Sequence, residues 1–206
     1  MTEINASGPV VSEEEVQKLL DILRELSKGD TVVIAGSVPR GISGNVYESI
    51  LEITAPKGVR ALVDATGELL LRTLKYRPFL VKPNIDELGE LFATKIKDVE
   101  EAVKYAKKLK KLGAVNVIVS MGENGAILVD ENENVINRKA VGTGAVNPLG
   151  AGDSMIAGFL AGIDRGSAAA LDLAIAAGGA TACSEGLATK AKIDKFLEMI
   201  NRKEYT

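Results

Sequence analysis

The sequence predicts an α/β fold, a doubly wound and mostly parallel sheet with helices on both faces. Two observations predict it. Short apolar runs rich in Val, Ile and Leu alternate with segments of helical periodicity, the order that builds a parallel sheet covered on both sides. Polar and glycine-rich groups then fall just after those runs: Gly36-Ser37, Asp64, Lys82-Pro83-Asn84 and Ser120-Met121-Gly122. In such sheets ligands sit beyond the carboxyl ends of the strands. Several independent strand ends therefore carry candidate chemistry to one edge of the sheet.

In order along the chain, Ser12 to Ser27 reads as a helix. Ser12 and Glu15 have capping-box spacing, and Val16, Leu19, Leu20, Leu23 and Leu26 recur at helical intervals. Thr31 to Ala35 is a strand ending at Gly36, Tyr47 to Ile53 a helix, and Arg60 to Val63 a strand ending at Asp64. Leu69 to Leu74 is helical, and Phe79 to Val81 is a strand stopped by Pro83. Asp86 to Phe92 and Val99 to Leu112 are helices, with Val115 to Ser120 the next strand. Ala126 to Val129 and Val135 to Lys139 are strands around a polar turn at Glu131–Asn134. Ala151 to Asp164, Ala168 to Ser184 and Lys192 to Ile200 close the chain as helices. There is no repeat, linker or low-complexity segment.

With 206 residues the chain is long enough for one substantial domain with a real core. Its 46% hydrophobic and 26% charged residues are ordinary for a soluble globular protein. A net charge of −3 attracts no nucleic-acid backbone. The basic run Lys107-Lys108-Leu109-Lys110-Lys111 lies in a helix with Val103, Ala106, Leu109 and Leu112 on its apolar side, so it reads as a solvated face. No apolar run is long enough to cross a bilayer. Met1-Thr2-Glu3-Ile4-Asn5 lacks the basic start and apolar middle of a signal peptide. A single cysteine, Cys183, excludes an internal disulfide and reads as a buried structural thiol. These points favour the cytoplasm. Histidine is absent, which excludes Ser-His-Asp and Cys-His nucleophile pairs and a Cys/His zinc site.

The most informative stretch is Asn147-Pro148-Leu149-Gly150-Ala151-Gly152-Asp153-Ser154, which opens the helix Met155-Ile156-Ala157-Gly158-Phe159-Leu160. Glycines let backbone approach a ligand, and the free amides of a helix N-terminus favour anions. A carboxylate beside such an anion hole repels the anion, unless Asp153 takes a proton from a hydroxyl while the hole holds a phosphoryl group. The bland reading makes Asp153 a mere complement to the helix dipole. Ser120-Met121-Gly122-Glu123-Asn124-Gly125 is either a tight glycine turn or a loop whose amides lie near a nucleotide phosphate. It is no Walker A loop, since no Gly-Lys-Ser/Thr follows. Lys82-Pro83-Asn84-Ile85-Asp86-Glu87 gives a capping box, and its Asn84 and Glu87 also suit a hydrated Mg²⁺, with Lys82 neutralising phosphate. Gly36-Ser37-Val38-Pro39-Arg40-Gly41 and Asp64-Ala65-Thr66-Gly67 are most simply βα turns, with the sugar side of a cleft as the alternative for either. Ala176 to Thr181, with Gly178, is either close helix packing or room for a flat adenine ring. A dinucleotide oxidoreductase fits worse: Gly142-x-Gly144 lacks the third glycine and opens no helix directly after a strand.

On these motifs the chain resembles the ribokinase / phosphofructokinase-B family of sugar kinases, from Thr2 to about Met199. Thr2-Glu3-Ile4-Asn5-Ala6-Ser7-Gly8-Pro9 and Ala35-Gly36-Ser37-Val38-Pro39 most resemble its 1-phosphofructokinase and tagatose-6-phosphate kinase branch. The resemblance implies one ribokinase-like α/β domain over residues 1–206. It implies ATP-dependent phosphoryl transfer to a hydroxyl of a ketose phosphate, fructose 1-phosphate first and tagatose 6-phosphate next. Asp153 would be the general base and would touch the acceptor. Gly150, Ala151 and Gly152 would form the anion hole. Ser120, Gly122, Glu123 and Gly125 would border ATP. Asn84 and Glu87 would hold the Mg²⁺–phosphate network through water, with Lys82 near the phosphates. Gly178 and Cys183 would fall where the adenine pocket closes, and Gly36 and Ser37 on the acceptor side. Family members carry a further N-terminal segment with opening strands, sugar-gripping residues and a β-sheet lid. Its absence here implies a truncated kinase that self-associates or needs a complementing chain. The competing class is a non-catalytic nucleotide-binding or assembly module completed by a partner.

Overall fold

The apolar runs pair into one six-stranded sheet in the order β1-β2-β3-β4-β5-β6. The structure is a computed structural model that describes residues 8–142 and 144–202. The strands are β1 (Thr31–Ala35), β2 (Arg60–Asp64), β3 (Leu80–Val81), β4 (Asn116–Ser120), β5 (Ala126–Val129) and β6 (Val135–Arg138). The helices are α1 (Glu13–Arg24), α2 (Val46–Thr54), α3 (Gly67–Thr73), α4 (Ile85–Leu91), α5 (Val99–Leu112), α6 (Ala151–Gly162), α7 (Ser167–Ala182) and α8 (Lys190–Asn201). Strands β1 to β4 run parallel through helical crossovers, while β4–β5 and β5–β6 are antiparallel. The last reversal follows from the turn after β5. Asp130 accepts the amides of Asn132 and Asn134, both at 2.9 Å, and so folds the chain straight back. The Asp130 carboxyl lies below its ordinary pKa: burial pushes it up, and the bonds from Asn134, Ser167 and Asn132 together more than offset this.

Strand alternation sorts the core into two layers. Ala61 and Val63 of β2, Val117 and Val119 of β4 and Ile127 and Val129 of β5 face α1 to α5. Leu62, Leu80, Ile118, Ala126 and Leu128 face α6, α7 and α8. The expected two-faced α/β architecture is therefore present. Helices α6 and α7 approach closely because Gly158 and Gly162 lie against backbone. A Cβ at 158 would stand 2.5 Å from Leu173 O, and one at 162 would stand 2.7 Å from Ala170 Cα.

Most expected boundaries agree to within two or three residues. The first helix is shorter than predicted, ending at Arg24 rather than Ser27. Lys57 reaches across to the carbonyls of Arg24 and Leu26, satisfying the helix end from outside. Both anticipated capping boxes form, Ser12 with Glu15 and Asn84 with Glu87. The stretch Thr2-Glu3-Ile4-Asn5-Ala6-Ser7 lies outside the described residues.

Candidate active site

Parallel strands bring their carboxyl ends to one edge. Asp64 ends β2, Lys82 follows β3, and Ser120 ends β4. The first turn of α6 meets them there. Lys82 is 7% exposed, and its Nζ lies 3.2 Å from Asp64 Oδ2. A Cβ at Gly152 would stand 3.1 Å from that Nζ and 4.0 Å from the same Asp64 oxygen. Glycine at 152 thus leaves a cradle in which a buried ammonium reaches the helix N-terminus. Asp153 is exposed on the same turn. Burial raises the Asp64 pKa, Lys82 pulls it back, and the neighbouring Asp153 charge pushes it further up.

The loop entering α6 is held to the end of α7. The amides of Val146 and Asn147 donate to Ala182 O at 2.8 and 3.0 Å. The Asn147 side chain donates to Glu185 O at 3.1 Å and accepts from Leu149 N at 3.0 Å. Gly150 takes a left-handed φ of +78° as the helix cap, with no side-chain bond to the first turn. The Ala151 amide closes a turn onto Pro148 O at 3.1 Å. In this arrangement Gly152 and Asp153, rather than Ala151, present the amides of the first turn that the loop does not use. Behind Asp153, the Ser154 hydroxyl meets Thr181 Oγ1 at 2.9 Å, fixing the turn to α7.

The other predicted residues form two flanking groups. Asn84 and Ser120 form a parallel bridge, and Ser120 N donates to Pro83 O at 3.1 Å, so these two loops adjoin. Asn84 Oδ1 accepts from Glu87 N and Glu87 Oε2 accepts from Asn84 N, both at 2.8 Å. The amides of Met121, Asn124 and Gly125 close the Ser120–Gly125 turn itself, which leaves Gly122 and Glu123 as amides the turn does not use. Glycine at 125 is imposed by the sheet, since a Cβ there would overlap Arg138 O. Gly178 is buried, and a Cβ on it would collide with Met155 Cγ, so helix packing alone accounts for its lack of a side chain. The Cys183 sulfur lies beside Gly142, at the end of α7, and Phe196 of α8 presses on the same glycine. On the other flank, Gly36 turns out of β1 with φ +92°, Ser37 is exposed, and Tyr47 donates to Gly36 O at 2.7 Å.

The donor set suits a phosphorylated ligand: a buried ammonium beside an uncapped helix N-terminus. Among the described residues no three His, Cys, Asp or Glu side chains gather to hold a metal. A Mg²⁺ carried mostly by water and phosphate oxygens needs no such cluster, and the Asn84–Glu87 cap uses only one carboxylate oxygen of Glu87. Sequence reasoning put Asp64 loosely on the sugar side, whereas here it pairs with Lys82 under Gly152. The available signal was an acidic residue directly following the apolar run Ala61-Leu62-Val63.

Comparison with known proteins identifies the family. Residues 1–194 match the pfkB family of carbohydrate kinases. The chain is 44% identical to the 1-phosphofructokinase of Bacillus subtilis, over 95% of this chain and 65% of that protein. It is 36% identical to the D-tagatose-1-phosphate kinase of Bacillus licheniformis, over 94% of this chain and 64% of that protein. The crystal structure of phosphofructokinase-2 from Escherichia coli in complex with substrates and products superposes with a TM-score of 0.87 at 29% identity, covering 94% of this chain and 64% of that one. The chain thus spans just under two thirds of the length of these relatives. Family match and fold agree, and the chain belongs to the pfkB family of carbohydrate kinases.

Proposed function

We propose that this chain carries the phosphoryl-transfer site of an ATP-dependent ketose-phosphate kinase. One observation carries the proposal: buried Lys82 meets the open first turn of α6 beside an exposed Asp153. Asp153 takes the proton of the acceptor hydroxyl as its oxygen bonds to the γ-phosphorus of ATP, and the bond from that phosphorus to the bridging oxygen of ADP breaks. Lys82 and the amides of Gly152 and Asp153 hold the charge on the moving group, with Gly150 and Ala151 shaping the turn. Mg²⁺, when bound, neutralises the nucleotide phosphates, and Asn84 and Glu87 hold its waters. Ser120, Gly122, Glu123 and Gly125 border the nucleotide, Cys183 lies toward the adenine, and Gly36 and Ser37 face the acceptor.

Both relatives are named as kinases of a ketose phosphorylated at carbon 1, which favours fructose 1-phosphate over tagatose 6-phosphate. They also favour a kinase over a non-catalytic assembly module. The test is transfer of labelled phosphate from ATP to each sugar phosphate by this chain, beside its Asp153→Asn variant. Loss of a general base lowers turnover by about 10²–10⁴-fold, with ATP binding retained. Turnover unchanged in Asp153→Asn removes the base assignment.

A second feature favours a partner strand. Among the described strands β1 pairs only with β2, and Val33 on it is 47% exposed. Unpaired strand edges recruit further strands. We infer that this edge is covered by another segment or chain in the assembled enzyme.

A further inference from the structure

We propose that Tyr47 is a positioning residue that locks the acceptor-side turn Gly36–Ser37 to the strand end bearing Asp64; the proposal rests on the kinase reading above. Tyr47 sits on α2, only 5% exposed, with its ring in the core layer between α2 and the sheet. A tyrosine this buried needs a partner for its hydroxyl. It finds one in Gly36 O at 2.7 Å. Gly36 directly follows Ala35, and Ala35 is the register partner of Asp64 across β1–β2. The hydroxyl therefore grips the chain one residue past the point where the two strand ends lie side by side.

Charge makes the same link. Burial raises the Tyr47 pKa, and the Asp64 charge raises it further, so the phenol feels the carboxylate that holds Lys82. A neutral phenol donating to Gly36 O beside that carboxylate is the form that burial enforces. Gly36 leaves β1 in a left-handed conformation, and among the described residues no other side chain bonds to it, so this one bond fixes where Ser37 begins. Such positioning bears on catalysis because small displacements of an acceptor are costly in rate.

Tyr47→Phe keeps the ring and removes only the hydroxyl. Its amides at Gly36, Ser37, Val38 and Arg40 are expected to exchange with deuterium faster than in the unaltered chain, with those of β2 and α2 unchanged. The dissociation constant for fructose 1-phosphate is expected to rise about 5- to 10-fold, the effect of one hydrogen bond, and that for ATP to stay constant. Unchanged exchange at 36–40 overturns the proposal, as does an equal weakening of both ligands, which marks general loosening. If the unaltered chain binds ATP but no ketose phosphate, the acceptor reading fails, and the exchange comparison still accepts or rejects the Tyr47 tie.

Discussion

Buried Lys82 pairs with half-buried Asp64, Nζ to Oδ2 at 3.2 Å, directly beneath Gly152. Residues from β2, from the turn after β3 and from the start of α6 thus meet at one point. A lone buried ammonium would be costly. Asp64 offsets that cost while the helix N-terminus stands open, and a phosphoryl group entering the turn would meet a cation already in place.

Adding one methyl group at this point separates catalysis from stability. In Gly152→Ala the new Cβ stands 3.1 Å from Lys82 Nζ, and the flexible ammonium must yield by a few tenths of an ångström. Alanine is favoured over glycine in a helix by up to about 1 kcal/mol, so the thermal midpoint should hold or rise. Phosphoryl transfer should fall by about 10- to 100-fold through misplacement of the cation. Steady-state rates beside a melting curve check this, and parallel loss of both would mean that the substitution merely damages the fold.

The fold was largely legible because strand and helix periods are local properties. Val32-Val33-Ile34 and Val117-Ile118-Val119 announce strands without any neighbour. Ser12 with Glu15 and Asn84 with Glu87 announce helix starts in the same way. The Gly150–Asp153 turn is legible as a helix start for a similar reason. What could not be read were relations across the sheet. Nothing in the sequence pairs Asp64 with Lys82, because that contact depends on strand register. Nothing ties Tyr47 to Gly36, and nothing distinguishes Gly178 packing on Met155 from Gly178 leaving room for a ring. The Ala151 amide was expected in the anion hole on the strength of its place in the motif. Its bond to Pro148 O is a detail of turn closure that the motif leaves open.

Asp64 should titrate above an ordinary aspartate. Burial dominates, Lys82 opposes it, and Asp153 adds to it. With the folded pKa above the unfolded one, folding takes up a proton in the window between them, so stability falls as pH rises through that window. Asp64→Asn should remove this part of the slope in urea midpoints measured from the ordinary carboxylate range upward. Asp153→Asn, by deleting the like charge, should lower the Asp64 pKa in carboxyl-carbon NMR titrations. An unmoved Asp64 resonance would mean that the two carboxylates do not sense one another.

The contact between α6 and α7 holds up the turn proposed to be catalytic. In Gly158→Ala the added Cβ meets Leu173 O at 2.5 Å and Ala174 Cα at 2.9 Å. Both are backbone atoms, which cannot swing aside as a side chain does. The helices must separate, at a cost of about 1–3 kcal/mol that exceeds the helix-propensity gain. A lower urea midpoint with an unchanged m-value is expected. Gly166→Ala makes a control in sterics, since nothing lies within 4 Å of a Cβ there, although its φ of +99° also penalises alanine.

The β1 edge gives a prediction about association. Val33 is exposed on the face where its counterpart on β2, Leu62, is wholly buried, and β1 has no second neighbour among the described strands. An apolar edge of this kind invites strand addition, and a charge placed on it opposes that. Val33→Lys leaves the Ile34 side of β1 in the core and changes only the uncovered face. If the edge mediates assembly, light scattering after size exclusion should register a lower average mass for Val33→Lys than for the unaltered chain at equal concentration. The folded signal in circular dichroism should persist, since a side chain already half in water contributes little to the core. An unchanged mass would move the association surface away from β1, leaving the exposed apolar residues of α1, Leu19 and Ile22, as the next to alter.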